Sequence, residues 1–329
     1  MKILYATQAT GNGHLVRALE IVPFLRQQFD VEVFVSGCQA QVELPFSVDY
    51  QKYGLSFSTS KRGGISYLKT ARSLRPIKLI RDIKACKLSD YDLVINDFEP
   101  ITAWACRIKK VPILAMSHQA SFFSEKTPRP EKLNRKQEFI LRNYAPAKHY
   151  IGFHFESYDE NILPPVIPRD IRQLEVELKN EICVYLPSYH PKFLANHFKG
   201  IKHYRFRIFS PFVRGMESHQ NLEFHPVSRE GWLSAFRNAG SVIMGAGFEG
   251  PAEVLHHGKR LMVIPMQGQY EQVCNAEALK RLGVNVQSRI QNDFEDRLRY
   301  WLEESKSIQI VYPDQQSFII DRIGSNVRA

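Results

Sequence analysis

The sequence predicts an α/β protein built from two Rossmann-like domains that face one another across a cleft. Three observations predict it. Short apolar runs alternate with segments of helical periodicity from residue 3 onward. The same alternation restarts near residue 182, after the proline-rich stretch Leu163-Pro164-Pro165-Val166-Ile167-Pro168, which reads as a linker. At 329 residues the chain is long enough for two domains of ordinary size. The expected units are 1–160, 161–313 and a closing helix at 314–329 that returns to the first domain.

The elements of the first half follow in order. Residues 3–6 read as a buried strand and 7–13 as a polar turn containing Gly11, Asn12 and Gly13. From His14 the pattern is helical, with Leu15, Ala18, Leu19 and Val22 on one face and Arg17 and Glu20 on the other. Residues 31–35 are the next strand. Gly11 and Gly13 match the first two glycines of the dinucleotide fingerprint, but Val16 stands at the third, which argues against an NAD site. His14 sits at the carboxyl end of the first strand, where open α/β sheets place ligands, and can serve as a general base. Asp97 follows the strand at 93–95 and so falls on the same rim. A carboxylate there would orient the imidazole and stabilise its protonated form.

Residues 61–87 hold nine basic side chains and one acidic one, Asp82, with apolar positions recurring every three residues. They read as two amphipathic helices broken near Pro76, of the kind that can lie on an anionic membrane surface or pack on the sheet. Residues 111–116 form a strand ending at His118 and Gln119, further acceptor-side candidates. An irregular loop is expected at 122–130, a helix at 135–143 and a strand at 149–153.

In the second half, strands are expected at 182–186, 204–209, 222–225, 242–244 and 261–264. Helices are expected at 193–198, 232–237, 294–305 and 314–323. The densest part is 242–276. A buried strand enters the turn Gly245-Ala246-Gly247-Phe248-Glu249-Gly250, and Pro251 fits the first position of a short helix carrying Glu253. The free N–H groups and dipole of that helix start favour an anion such as a diphosphate. Glu253, a turn further in, can accept hydrogen bonds from a ribose diol. A polar loop covers 267–272, and another helix starts near Asn275.

Composition narrows the class. Apolar residues at 44% and charged residues at 24% are those of a globular protein, and no apolar run approaches the roughly 20 residues that span a bilayer. Five scattered cysteines (Cys38, Cys86, Cys106, Cys183, Cys274) argue against a zinc site or disulfide framework and fit a reducing cytoplasm. The net charge of +10 lies wholly in residues 1–150, which hold 23 basic and 13 acidic residues. That asymmetry suits an anionic partner or a solvated basic surface. No zinc-finger or RNP-type motif is present, so nucleic acid is not expected.

The turn from Gly245 through Glu253, then Gly258-Lys259, Pro265, Glu271-Gln272, Asn275-Ala276 and Leu282-Gly283, resembles the donor half of GT-B glycosyltransferases. These nucleotide-sugar enzymes include the N-acetylglucosaminyltransferase of peptidoglycan lipid synthesis and the plant and antibiotic UDP-glycosyltransferases. Gly11-Asn12-Gly13-His14 is similar to their glycine-rich acceptor loop. The resemblance implies an acceptor-binding first domain, with acceptor contacts at Gly11, Asn12, Gly13 and His118, and a donor-binding second domain. It implies that Gly245, Gly247 and Gly250 cradle the diphosphate, that Glu253 binds the ribose, and that Glu271 and Gln272 contact the transferred sugar. Ser188 would reach the phosphates, the turn at His225-Pro226-Val227 would hold the base, and His14 with Asp97 would deprotonate the acceptor.

Two departures stand out. Gly245 replaces the phosphate-binding histidine of the plant-type enzymes, so positive charge would come from His190 or Arg17. Pro187-Ser188-Tyr189-His190 is not glycine-rich. The expected activity is inverting hexosyl transfer from a nucleotide-sugar, with UDP commonest in the family, to a glycan, lipid or small-molecule acceptor. It would require no cofactor beyond the co-substrate. Asp90 and Asp92 have a metal-binding spacing but precede the strand at 93, on the opposite rim, so no metal is expected. The expected location is the cytoplasm, with the basic first half available to the inner face of the membrane and a role in cell-envelope glycan. A nucleotide-sugar 2-epimerase of the same architecture would keep the donor site without an acceptor base. A non-catalytic basic binding protein would keep only a degenerate donor fold.

Overall fold

The computed structural model describes residues 1–37, 44–53 and 76–327. Cys38 and the first of the two basic helices expected in 61–87 lie outside the described residues.

The first sheet contains β1 (Lys2–Gln8), β2 (Asp30–Ser36), β3 (Tyr50–Lys52), β4 (Leu93–Asp97), β5 (Ile113–Ser117), β6 (His149–Phe153) and β7 (Ile162–Leu163). Its order is β3-β2-β1-β4-β5-β6-β7, and every pairing is parallel. Its helices are α1 (Asn12–Leu25), α2 (Pro76–Ala85), α3 (Pro100–Lys109) and α4 (Arg135–Asn143), with a 3-10 turn at Gln119–Phe123. Central strands β1 and β4 are covered on both faces, which is why they read as continuous apolar runs without alternation.

The second sheet contains β8 (Lys179–Tyr185), β9 (Arg205–Phe209), β10 (Glu217–His219), β11 (Leu222–His225), β12 (Ala239–Met244), β13 (Arg260–Val263) and β14 (Asn285–Val286). Its order is β10-β11-β9-β8-β12-β13-β14, parallel except for the β10–β11 hairpin at one edge. Its helices are α5 (Arg169–Arg172), α6 (Pro191–Phe198), α7 (Arg229–Asn238), α8 (Glu249–His256), α9 (Tyr270–Arg281) and α10 (Phe294–Glu304). The last helix, α11 (Gln316–Val327), packs against α1 and β6 of the first half. In each sheet the order reverses beside the first strand, between β1 and β4 and between β8 and β12. Connections leave those strands in opposite directions, and a crevice opens at their carboxyl ends.

The two halves share an apolar core. One cluster joins Ile3, Tyr5 and Ile95 of the first sheet to Val242 and Val263 of the second, with Ile319 and Ile323 of α11 added. Each such side chain contributes about 1.5–3 kcal/mol on burial.

Several boundaries differ from the sequence reading. α8 begins at Glu249, so Pro251 is its third residue rather than its first; its missing N–H still falls among the donors that no helix carbonyl serves. α9 begins at Tyr270, five residues before the expected start, because Tyr270 and Cys274 pack on Phe122 of the first half. The loop expected at 122–130 opens with the end of the 3-10 turn. α3 was not expected at all. Its Ile, Thr, Trp and Cys are weak helix formers, and burial of Ile101, Ala105 and Cys106 overrides their propensity.

The cap of α3 is built from local residues. Phe98 takes a left-handed backbone (φ 55°), which turns the chain between Asp97 and Glu99. The buried Glu99 carboxylate then accepts from Ile101 N (2.8 Å), Thr102 N (2.6 Å) and Thr102 Oγ1 (2.6 Å). Burial pushes its pKa up in spite of these bonds. Glu99→Ala removes the cap and leaves these donors unpaired. It is expected to cost about 1–3 kcal/mol, read as a fall of several degrees in Tm.

Candidate active site

The crevices of the two sheets meet in a cavity of about 720 Å³. From the first half it is lined by Asn12 and Gly13, and from the second by Gly245, Gly247, Glu249, Gly250, Glu253 and Gln272. Gly11, Ser188 and Glu271 are not part of this wall, and His14 stands just behind it.

His14 lies in the first turn of α1, and Asp97 ends β4, paired in register with Thr7 of β1. The parallel register brings them together: His14 Nδ1 is 2.8 Å from Asp97 Oδ1. Arg17, one turn along α1, clamps the same carboxylate, Nε to Oδ2 at 2.9 Å and Nη2 to Oδ1 at 2.7 Å. Burial alone would raise the Asp97 pKa, but Arg17 and His14 hold it below the ordinary carboxylate value. An ionised Asp97 only accepts, so its short contact calls for a proton on His14 Nδ1; Arg17 Nη2 also approaches that nitrogen, at 3.2 Å. The Phe98 ring stacks on the imidazole (6.2 Å between centroids, 7° between planes) and fixes its tilt.

Arg17 does not lie on the polar face of its helix, as the periodicity suggested. Its side chain is 2% exposed, a burial that ion pairing permits. Its third nitrogen, Nη1, crosses the cleft to the carboxylate of Glu249, the first residue of α8. The pairing with Asp97 and Glu249 outweighs burial and raises its pKa. Arg17 is therefore committed within the protein and does not supply the diphosphate charge expected from it. His190 caps α6, its Nδ1 accepting from Lys192 N (3.3 Å). A Cβ at Gly13 would run into the Glu249 carboxylate, so a larger residue there would displace the cross-cleft pair.

On the opposite wall, α8 presents its amino end beside the glycine turn. Gly247 has open space where a Cβ would stand, and a Cβ at Gly245 would be in ordinary contact with Gln272 Oε1. Gln272 in turn accepts from Met266 N (2.8 Å). Glu253 is 4% exposed, and burial pushes its pKa up to about 7. Its nearest cation is Arg229 Nη1 at 3.5 Å, but Arg229 itself is clamped by Asp170 (2.6 and 3.0 Å). The sequence reading gave no part to Asp170, Arg229 or Glu249. Only Glu249 had a signal, its place inside the glycine turn.

His118 is buried away from the cavity. Nδ1 meets Phe153 O and Nε2 meets Asn275 Oδ1, each at 2.8 Å, and the ring stacks on Phe248 at 4.0 Å. Burial lowers its pKa. With both nitrogens engaged it ties the halves together rather than facing an acceptor. Glu271 does the same, accepting from Gln119 Nε2 at 3.0 Å. Asp92 caps the amino end of β1 through Lys2 N (2.7 Å), on the rim opposite the cavity. Among the described residues no cluster of three or more His, Cys, Asp or Glu is arranged to hold a metal ion, and no helix is long and apolar enough to cross a membrane.

Comparison with known proteins places this geometry. The family model described as glycosyl transferase family 1 matches residues 1–304. No curated protein sequence matches significantly. Among solved structures, Arabidopsis thaliana UGT89C1 complexed with UDP-L-rhamnose superposes with a TM-score of 0.61 at 13% identity, covering 99% of this chain and 97% of that one. Acinetobacter baumannii MurG gives 0.57 at 15%, covering 98% and 99%. The glycotransferase of kitacinnamycin gives 0.58 at 14%, covering 99% and 95%. The likeness is one of fold, the GT-B arrangement of two Rossmann-like halves around a cleft.

The Asp97 charge is stabilised by folding, so its contribution is complete at neutral pH and lost as pH falls through the carboxylate range. Asp97→Asn is expected to destabilise the protein by about 3–5 kcal/mol at neutral pH, because Arg17 loses a buried partner. Between about pH 5 and pH 3 the variant should lose less further stability than the wild type. Thermal melts across that range check both.

Proposed function

The chain belongs to glycosyl transferase family 1, and from that premise we propose that it moves a hexosyl group from a UDP-sugar to an acceptor hydroxyl, with inversion and without a metal. The observation that supports the reading is a bonded His14–Asp97 pair at the start of α1, whose Asn12 and Gly13 line the same cleft as the glycine turn. His14 Nε2, with Nδ1–H held by Asp97, takes the proton of an acceptor hydroxyl approaching from the first half. Such proton transfer is worth typically about 10²–10⁴-fold. The acceptor oxygen attacks the anomeric carbon as the bond to the diphosphate breaks, so attack and departure lie on opposite faces and the configuration inverts.

The departing diphosphate develops negative charge beside the turn 245–250. The amino end of α8 meets it with backbone N–H groups and the positive end of the helix dipole. That role falls to the backbone because Gly245 brings no cationic side chain and Arg17 is paired with Asp97 and Glu249. Glu253 accepts from the ribose hydroxyls, and Gln272 faces the transferred sugar. A nucleoside diphosphate leaving group is supported by fold neighbours complexed with UDP-L-rhamnose and with thymidine diphosphate, and UDP is our choice between them. In this reading residues 1–160 serve the acceptor and 161–313 the donor.

Nucleotide-sugars are expected to raise Tm by mass action, UDP-sugars most. Glu253→Ala should lower donor affinity by about 10–100-fold in calorimetry, the worth of hydrogen bonds to a charged group. Empty, Glu253 titrates near pH 7, and the ionised form is the better acceptor. Wild-type affinity should therefore rise with pH through about 7 while that of Glu253→Ala stays flat; a parallel rise in both would remove Glu253 from the donor site.

His14→Ala should abolish transfer and leave donor affinity intact. Transfer at near wild-type rate would place the base elsewhere. Epimerised sugar formed from the donor alone would replace transfer with epimerisation.

A further inference from the structure

α4 is turned the wrong way round for a surface helix. Its inner face carries Gln137, Glu138 and Leu141, where Glu138 binds Arg129 (3.0 Å) and Arg142 (3.1 Å). Its outer face carries Phe139 and Ile140, which are 67% and 54% exposed, and Leu133 just before the helix is 52% exposed. A surface helix ordinarily buries its apolar stripe and shows its polar one. Here the inward contacts are made by Glu138, which binds Arg129, and by Leu141, which packs on Phe122, Tyr270 and Cys274, while Phe139 and Ile140 are left to water.

The flank of this apolar face is cationic. Lys132, Arg135 and Lys136 are exposed and form no salt bridge among the described residues, with Glu131 the acidic neighbour. Exposed apolar side chains ringed by basic ones fit a surface that is apolar below and anionic above, which is the interface of an anionic bilayer. Two other occupants fit the charge poorly. Residues 54–75 of the chain hold five basic and no acidic residues, so they would bring like charge to the same flank. A second copy docked through this face would bring the same cations again.

We propose that α4, with Leu133, is a membrane-docking element: Phe139, Ile140 and Leu133 enter the headgroup–acyl boundary, and Lys132, Arg135 and Lys136 meet anionic headgroups. On its inner side Gln137 Nε2 reaches Gly268 O (3.5 Å) on the loop before α9.

The test is co-flotation of the full chain with vesicles rich in phosphatidylglycerol, against vesicles of phosphatidylcholine alone, at low and high salt. The wild type should bind the anionic vesicles roughly tenfold or more tightly, and salt should weaken that binding. Phe139→Ser/Ile140→Ser and, separately, Lys132→Glu/Lys136→Glu should each reduce it by a similar factor, with Tm unchanged because all four side chains are exposed. No preference for anionic vesicles would overturn the proposal. So would loss with the charge pair alone and not the apolar pair, which would place the contact on another basic face. A wild-type dimer that the apolar pair converts to monomer, without vesicle binding, would assign the face to self-association.

Discussion

The arrangement of the cleft depends on how the Arg17 guanidinium is neutralised. A guanidinium that is almost wholly out of water is tolerated only if its charge and donors are met. Two carboxylates meet them, one from each half of the molecule: Asp97 through a bidentate clamp and Glu249 through the remaining nitrogen. Once that arrangement is set, much else follows. Asp97 stays ionised and holds His14 through Nδ1. Glu249 is drawn across the cleft, and its carboxylate packs against Gly13. The amino end of α8, which begins at Glu249, is thereby aligned against the first turn of α1.

The donor wall shows the complementary economy of charge. Its glycine turn carries no cationic side chain, and its strongly buried carboxylate, Glu253, shares its cation, Arg229, with Asp170. An anion bound here would rely on fixed backbone dipoles, which need no reorganisation as charge builds up. Glu253 left without a diol is close to half protonated near neutrality, because burial opposes its charge and Arg229 is already held by Asp170. An empty donor site and a filled one would therefore differ in proton content as well as in shape.

Much of the fold was legible in the sequence because buried parallel strands read as unbroken apolar runs and the pattern repeats. The helices over 135–143 and 294–304 agree with their periodicity to within a residue. What was not legible was set by tertiary partners. α3 has poor local propensity and exists because its apolar face is buried. Arg17 looked like a surface residue because periodicity cannot see an ion pair with a residue more than two hundred positions away. The His14–Asp97 contact was legible because both residues end or follow central strands of one parallel sheet, and register then brings them together. His118 shared that position by the same logic, yet the stack on Phe248 and the bond to Asn275 turn it into the core. Rim position says which residues can reach a cleft, and packing decides which of them do.

The path of the chain between the halves has a mechanical consequence. It crosses from the first sheet to the second through 164–168 and comes back through the segment before α11, which is anchored on α1 and β6 by Ile319 and Ile323. Two crossings act as a door hinge does, where one would act as a ball joint. They leave rotation about the line through both and resist twist and sliding. Opening of the cleft along that single axis would separate Arg17 from Glu249 while α1 kept its alignment, so that each closure would bring the same two groups back into register.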